Sequence, residues 1–351
     1  MSKINLTING QPVEAEAGMT ILEAAESAGI EIPTFCHDPQ LVGVGACRIC
    51  VVEVEGGRGL PAACVAPAGD GMVIYTESEK VIEARKANLS LLLANHPLDC
   101  LTCEKSGECK LQDYCYRYGV AQTDYPGEAK EIPLDNTNPF YERDMNKCIL
   151  CGKCSRTCHE INGAGAIEYA YRGFQSTIAP AFEEPVENSS CVFCGMCVDM
   201  CPTGALTPKL GKGTARVWEI EKVKTICPYC GTGCAINLHV KGNQVVGASG
   251  NEEGEANRGN ICVKGHFGWD FVHSPDRLTK PLIKKNGEFE EASWEEALSL
   301  VADKFKSTVD SSGAEALAGL SSARCTNEEN YLFQKLLRML GTNSVDHCAR
   351  L

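Results

Sequence analysis

Twenty-two cysteines in 351 residues are the side chains best able to do chemistry here, and their spacing says which chemistry. The two sharpest runs are Cys148-x2-Cys151-x2-Cys154-x3-Cys158 and Cys191-x2-Cys194-x2-Cys197-x3-Cys201-Pro202. A cubane cluster needs four thiolates converging from a compact loop. Gaps of two residues let the chain wrap three corners while the fourth thiolate comes from the other run. The pattern assigns Cys148, Cys151, Cys154 and Cys201 to one [4Fe–4S] cluster, and Cys191, Cys194, Cys197 and Cys158 to another. Zinc sites pair two short runs of two ligands, a different pattern. Disulfide scaffolds are short secreted chains with signal peptides, whereas Met1-Ser2-Lys3-Ile4-Asn5-Leu6 opens with no apolar signal core and no twin-arginine pair.

Three further groups have ligand-like spacing. Cys36-x10-Cys47-x2-Cys50-x13-Cys64 could hold a two-iron cluster or zinc. In His96-x3-Cys100-x2-Cys103-x5-Cys109, residue chemistry alone favours Cys115, six residues further on, as fourth ligand, because thiolate is the usual cluster ligand. Cys227-x2-Cys230-x3-Cys234-x27-Cys262 completes the set, with Cys115, Cys325 and Cys348 left over.

These residues need elements to carry them. Ile4, Leu6 and Ile8 alternate as a half-buried strand does, and Asn9-Gly10 suits a two-residue hairpin turn. Thr20-Ile21-Leu22-Glu23 reads as a capping box opening a helix that Gly29 ends. A helix between Thr76 and Asn95, with Val81, Ile82, Leu89, Leu92 and Leu93 mostly on one face, delivers the chain to His96. Tyr125 to Pro139 reads as a linker, and Arg216 to Ile220 as a strand. Beyond Thr279 the pattern is ordinary α/β: Ser293 caps a helix, a strand follows at Ala316 to Leu320, and Thr326-Asn327-Glu328-Glu329 caps a helix ended by Gly341. A strand–loop–helix unit of that kind can seat a phosphate at the helix start.

With 33 basic and 46 acidic side chains, the formal charge is −13. No lysine–arginine run is dense enough to neutralise a nucleic-acid backbone. No stretch approaches the ~20 apolar residues of a membrane span, and the reading places the protein in the cytoplasm, without nucleic acid or a membrane span.

The Cys148–Pro202 region resembles a bacterial two-cluster ferredoxin with an insertion between its halves; Gly152, Gly195, Pro202 and Gly204 sit where that family has them. The Cys36 group departs from plant-type ferredoxin spacing and is similar to that of the large iron–sulfur subunit of respiratory complex I and of modular hydrogenases, which implies a [2Fe–2S] cluster. The run Asn95-His96-Pro97-Leu98-Asp99-Cys100 with Gly107-Glu108-Cys109 resembles the complex I site where histidine and three cysteines hold a [4Fe–4S] cluster. That resemblance implies His96, Cys100, Cys103 and Cys109 as ligands and leaves Cys115 as a small buried hydrophobe.

Cys227-Pro228-Tyr229-Cys230-Gly231-Thr232-Gly233-Cys234 resembles the motif opening the catalytic subunits of molybdopterin oxidoreductases. It implies a fifth cluster on Cys227, Cys230, Cys234 and Cys262, with Lys264 lying between cluster and pterin. Ser321-Ser322-Ala323-Arg324-Cys325-Thr326-Asn327-Glu328-Glu329-Asn330-Tyr331 looks like the cofactor-binding turn of that family, which implies Arg324 and Asn327 as cofactor contacts. In Gly341 to Arg350, which resembles the stretch before the active site, His347 and Cys348 read as structural.

The order of modules is similar to the alpha subunit of molybdenum- or tungsten-dependent formate dehydrogenases linked to NAD(P) or ferredoxin. The implied fold is α+β and multidomain. It comprises a β-grasp [2Fe–2S] domain (1–78), a small helical [4Fe–4S] domain with one histidine and three cysteine ligands (79–120), a two-cluster ferredoxin domain (138–210), an iron–sulfur domain (216–275) and the start of an α/β molybdopterin domain (276–351). The implied cofactors are one [2Fe–2S], four [4Fe–4S] and, in a full-length protein, a bis-molybdopterin guanine dinucleotide acting on formate or CO2. The implied partner is a flavin, NAD(P)-binding iron–sulfur subunit or ferredoxin. On this resemblance no catalytic residue lies within the sequence; the catalytic selenocysteine or cysteine is expected immediately after Leu351, with selenocysteine encoded by UGA. The alternative is a stand-alone electron-transfer subunit of a hydrogenase or NADH dehydrogenase-like complex.

Overall fold

The hairpin read from Ile4, Leu6 and Ile8 opens the fold. In the computed structural model, which describes residues 2–125 and 127–348, strand β1 (Lys3–Ile8) pairs antiparallel with β2 (Gln11–Glu16). Ile8 faces Gln11 across Asn9 and Gly10, whose φ angles of 52° and 80° are the left-handed values such a turn needs. Helix α1 (Ile21–Ser27) starts at the expected capping box, Thr20 and Glu23 each bonding the other's backbone. Strand β3 (Glu53–Val54) and β4 (Val73–Tyr75) complete a mixed sheet in the order β2-β1-β4-β3, with β1 and β4 parallel. Its core gathers Leu6, Ile8, Ile21, Leu22 and Ile74 with Cys50 and Cys64.

Helix α2 (Glu79–Leu93) buries Val81, Arg85, Leu89 and Leu93, positions four apart that form one stripe. Helix α3 (Lys110–Tyr118) packs on it and ends at Gly119, with φ of 68°. Between and beneath them lies a second core that includes Phe35, Ile49, Leu89 and Leu111 and takes in Cys36, Cys109 and Cys151.

The segment read as a linker has little regular structure, yet it packs: Asp135 and Arg143 bond each other's backbone at 3.0 and 2.9 Å, and Ile132 is held by Asn146. Strand β5 (Tyr141–Arg143), helix α4 (Lys153–Arg156), the insertion hairpin of β6 (Glu168–Ala170) and β7 (Thr177–Ala179), helix α5 (Met196–Asp199) and β8 (Leu206–Pro208) follow. The antiparallel β5–β8 pair clasps the ends of this region.

Arg216 to Ile220 is not a strand. It forms a 3-10 turn at Val217–Glu219, because the Arg216 side chain is committed to the carbonyls of Leu101 and Cys103, at 2.8 Å each. The strand begins beyond it, at β9 (Glu221–Ile226).

The chain divides into two compact units, Met1–Ile220 and Glu221–Leu351. In the second, β9 joins β10 (Ala235–Lys241) and β11 (Gln244–Gly250) in an antiparallel sheet, with the short helix α6 (Val263–Phe267) against β11. A hairpin of β12 (Leu282–Lys285) and β13 (Glu288–Glu291) leads to helix α7 (Trp294–Ser312), capped by Ser293 as expected. The next strand lies later than expected, as β14 (Gly319–Ser321), since Ala314–Ala316 makes a 3-10 turn. Helix α8 (Asn327–Met339) starts at the Thr326–Glu329 capping box, and β15 (Val345–His347) runs parallel to β14. Among the described residues, no helix is long and apolar enough to cross a membrane.

Candidate metal centres

All 22 cysteines are free thiols, and the folded chain gathers them largely as their spacing groups them. Cys36, Cys50 and Cys64 are buried, with the sulfurs of Cys50 and Cys64 3.4 Å apart. Hydrogen bonds from Cys47 and Cys64 lower the Cys36 thiol, and one from Cys64 lowers Cys50, to about 7, whereas Cys47 and Cys64 are raised. These contacts link Cys36 to Cys47 and Cys64, and Cys64 to Cys50, so the four sulfurs lie near one another. The loop is held from α2: Arg85, fully buried, donates to the carbonyls of Ile49 and Val51, on either side of Cys50, at 3.0 Å each. Its remaining nitrogen reaches Glu77 at 2.8 Å and the Tyr118 hydroxyl at 2.7 Å.

The two long runs fold alike. Leu150 and Phe193, each the residue just before its run's second cysteine, adopt φ of 54° and 55°, and Gly152 and Gly195 follow with 70° and 83°. In each run the N–H of that residue donates to the first sulfur at 3.4 Å. A side chain at Gly152 would also meet the Tyr169 hydroxyl at 2.5 Å. One enclosed, mostly apolar void is lined by Cys148, Cys151, Cys154 and Cys201, and a second by Cys158, Cys191, Cys194 and Cys197. Each therefore draws three thiols from one run and one from the other. Burial pushes the Cys148 thiol up to about 11 and Cys151 to about 12. Four thiols around one void are the donor set that a cubane cluster requires.

The His96 imidazole is mostly buried, and burial lowers its pKa. Its Nδ1 has no hydrogen-bond partner. A neutral imidazole with an orphaned buried nitrogen fits a ligand role, since such atoms otherwise cost stability. Cys100 and Cys109 are raised by burial, with the charge of Cys103 contributing to both. Cys115 stands on α3, half-buried against the second core, its thiol pushed up to about 11 chiefly by burial.

Three residues that spacing did not single out connect these groups. Arg156, on α4 between Cys154 and Cys158, donates to the Cys36 carbonyl and, at 2.6 Å, to that of Val42. Lys153 pairs with Asp38 at 2.9 Å. The Lys110 N–H, just after Cys109, donates to the Pro202 carbonyl, just after Cys201.

In the second unit the β9–β10 turn carries Cys227, Cys230 and Cys234, with the Cys227 N–H on the Cys234 carbonyl at 2.9 Å. Cys262 is the residue before α6. Burial raises Cys227 and Cys234, and the charges of the neighbouring group members, Cys262 included, raise them further. The Lys264 ammonium lies 5.7 Å from the Tyr229 ring centroid. Cys230 is lowered, first by bonds to Thr232 and then by the cations Lys264 and Arg324. Both basic residues therefore lie near enough to Cys230 for their charges to act on it. Asn327 is exposed in the first turn of α8; it is Asn330 that ties the turn, donating to the Thr326 carbonyl at 3.0 Å and the Cys325 carbonyl at 3.3 Å. Ala349, Arg350 and Leu351, the end of the last motif, lie outside the described residues.

The family of the 2Fe-2S iron-sulfur cluster binding domain matches residues 1–79, the NADH-ubiquinone oxidoreductase-G iron-sulfur binding region 85–124 and the NADH-quinone oxidoreductase subunit 3 ferredoxin-like domain 138–207. The molybdopterin oxidoreductase Fe4S4 domain matches 220–274, and the molybdopterin oxidoreductase family 277–351. In a crystal structure of an NAD+-reducing [NiFe]-hydrogenase, a chain 31% identical superposes with a TM-score of 0.58 over 62% of this chain and 92% of its own length. The chain belongs to the NADH-quinone oxidoreductase G and molybdopterin oxidoreductase family of iron–sulfur proteins. Within that family it is 41% identical over 349 residues to the NADPH-Fe(3+) oxidoreductase subunit alpha of Geobacter sulfurreducens. It is 40% identical over 353 residues to the G 2 subunit of the NADH-quinone oxidoreductase of Rhizobium meliloti, and each match covers 99% of this chain. A putative formate dehydrogenase of Staphylococcus aureus is 32% identical over 386 residues, covering 98% of this chain. The chain spans about 40% of the length of these family members.

Proposed function

We propose that this chain is the iron–sulfur electron-transfer portion of a cytoplasmic formate dehydrogenase or CO2 reductase alpha subunit, with a flavin, NAD(P)-binding subunit or ferredoxin as partner. Cys36, Cys47, Cys50 and Cys64 hold a [2Fe–2S] cluster on a sheet of β-grasp type; His96, Cys100, Cys103 and Cys109 hold a [4Fe–4S] cluster; Cys148, Cys151, Cys154 and Cys201 hold another, and Cys158, Cys191, Cys194 and Cys197 a third. Cys227, Cys230, Cys234 and Cys262 hold the fifth, beside which Lys264, Arg324 and Asn327 face a molybdenum or tungsten bis-pterin in the complete protein. Bound there, each cluster accepts and releases one electron.

The observation that supports this most is the second core, where Cys36, Cys109 and Cys151, each from a different ligand set, are buried together. Arg156 and Lys110 add hydrogen bonds between the same sets. A dry, hydrogen-bonded interior between redox sites keeps their environments fixed as charge arrives.

The Geobacter relative's name favours a second reading, the electron-transfer portion of an NADPH-linked oxidoreductase that reduces Fe(3+). Anaerobic addition of formate or NAD(P)H to the complete protein, followed by electron paramagnetic resonance, separates them. Cluster reduction by formate supports the first; reduction by NAD(P)H with none by formate leaves the second.

A further inference from the structure

Lys147 precedes Cys148 and is not a ligand in any of the sets above. Its ammonium pairs with Asp99 at 3.1 Å and Asp144 at 3.2 Å, and its side chain is only 15% exposed. Asp99 adjoins Cys100. The Lys147 carbonyl is fixed as well, accepting from the Thr203 hydroxyl at 2.8 Å. Gly204 locates the lysine relative to the sulfurs: the point where a Cβ would stand is 2.6 Å from Cys103 Sγ and 3.5 Å from Lys147 Cδ. The lysine stem and a sulfur of the His96 group therefore flank one spot, while Cys148, of a different group, is the next residue along the chain. The Lys105 stem lies 3.5 Å from the same spot, and its ammonium pairs with Glu108 at 3.1 Å.

A cation held in a little-hydrated place between two redox sites stabilises whichever state carries the extra electron, because screening by water is weak there. We propose that Lys147 is a positioning residue that raises the reduction potential of the cluster on His96, Cys100, Cys103 and Cys109, with Asp99 and Asp144 holding its ammonium in place and moderating its charge. This rests on that ligand set as read above. The step it tunes is the addition of one electron from an external reductant to the oxidised cluster, with no bond made or broken in the protein.

The test is a dithionite redox titration of the reconstituted chain followed by electron paramagnetic resonance, the relevant signal being the one that changes in His96→Ala. Lys147→Met is expected to weaken electron binding at that cluster by about tenfold, a shift of about 59 mV to more negative potential for a one-electron couple, while Lys147→Arg stays near the parent. Asp99→Asn, which removes a negative charge and keeps the lysine, is expected to shift it positive. An unchanged potential in Lys147→Met with the signal intact overturns the inference. Equal shifts in Lys147→Met and Lys147→Arg also overturn it, since they point to packing rather than charge. If Lys147→Met fails to assemble, the sign of the Asp99→Asn shift decides: a zero or negative shift overturns the proposal. A parent protein with no signal sensitive to His96 overturns the ligand set, and the inference with it.

Discussion

The backbone N–H of Lys110 donates to the carbonyl of Pro202 at 3.1 Å, so the segments that follow Cys109 and Cys201 are tied by a backbone hydrogen bond. The close approach depends on Gly204, where a Cβ would meet Cys103 Sγ at 2.6 Å. Gly204→Val is expected to disrupt the cluster of the His96 group and to spare the [2Fe–2S] signal. Electron paramagnetic resonance of the two signals checks this; an unaltered spectrum means the Pro202–Ala205 loop can withdraw.

The fourth ligand beside Cys100, Cys103 and Cys109 is the point on which residue chemistry and resemblance diverge. His96 has an orphaned buried nitrogen, whereas Cys115 is packed into an apolar core. His96→Ala is expected to remove or alter one [4Fe–4S] signal, and Cys115→Ala to leave every signal intact, at a cost of about 1 kcal/mol in lost packing. Loss of the cluster in the Cys115 variant alone would reverse the assignment.

The gathering of Cys148, Cys151, Cys154 and Cys201 around one void, and of Cys158, Cys191, Cys194 and Cys197 around another, was legible because short, regular gaps wrap a chain around one point, and the capping boxes at Thr20 and Thr326 because that signal is local. What spacing could not reveal were long-range partners. Arg85 sits in the middle of an apolar stripe, four residues from both Val81 and Leu89, and a helix pattern alone marks it as an exception without saying what it binds. Arg216 to Ile220 reads as a strand, but the Arg216 side chain bonds the carbonyls of Leu101 and Cys103, more than a hundred residues away. Lys147 and Arg156 were likewise invisible as connectors, since each looks like an ordinary basic residue beside a cysteine.

Arg85 is fully buried and satisfies two carbonyls that bracket Cys50. Replacing it with methionine keeps the stripe apolar but strands those two carbonyls, while Glu77 keeps Arg117 and the Tyr118 hydroxyl; leaving such buried acceptors unpaired costs about 3 kcal/mol. Arg85→Met is expected to lower the denaturant midpoint and to lose the [2Fe–2S] signal at lower denaturant than the parent. Matching midpoints for cluster loss would mean that the Cys47–Cys50 loop holds itself.

Five complete ligand sets require about 18 iron atoms per chain, two in the first cluster and four in each of the others. Anaerobic reconstitution followed by iron and acid-labile sulfide analysis measures this directly. Four or eight iron atoms with bound zinc would replace the five-cluster reading with one of mixed sites.

The buried thiols give opposite pH responses to the loaded and the cluster-free chain. Burial pushes Cys148 up to about 11 and Cys151 to about 12, above the roughly 8.5 of a free thiol. Without iron, folding keeps both protonated, so as pH rises past about 8.5 the unfolded chain ionises and the folded one does not. Stability present at neutral pH is then lost by about 1.4 kcal/mol per thiol per pH unit. With iron bound, the thiolates are already formed and the protons released, so rising pH favours the loaded state. Thermal unfolding between pH 7 and 10 is expected to show the cluster-free protein weakening while iron uptake against a competing chelator strengthens. If the cluster-free protein holds its stability to pH 10, these thiols are less buried than their surroundings imply.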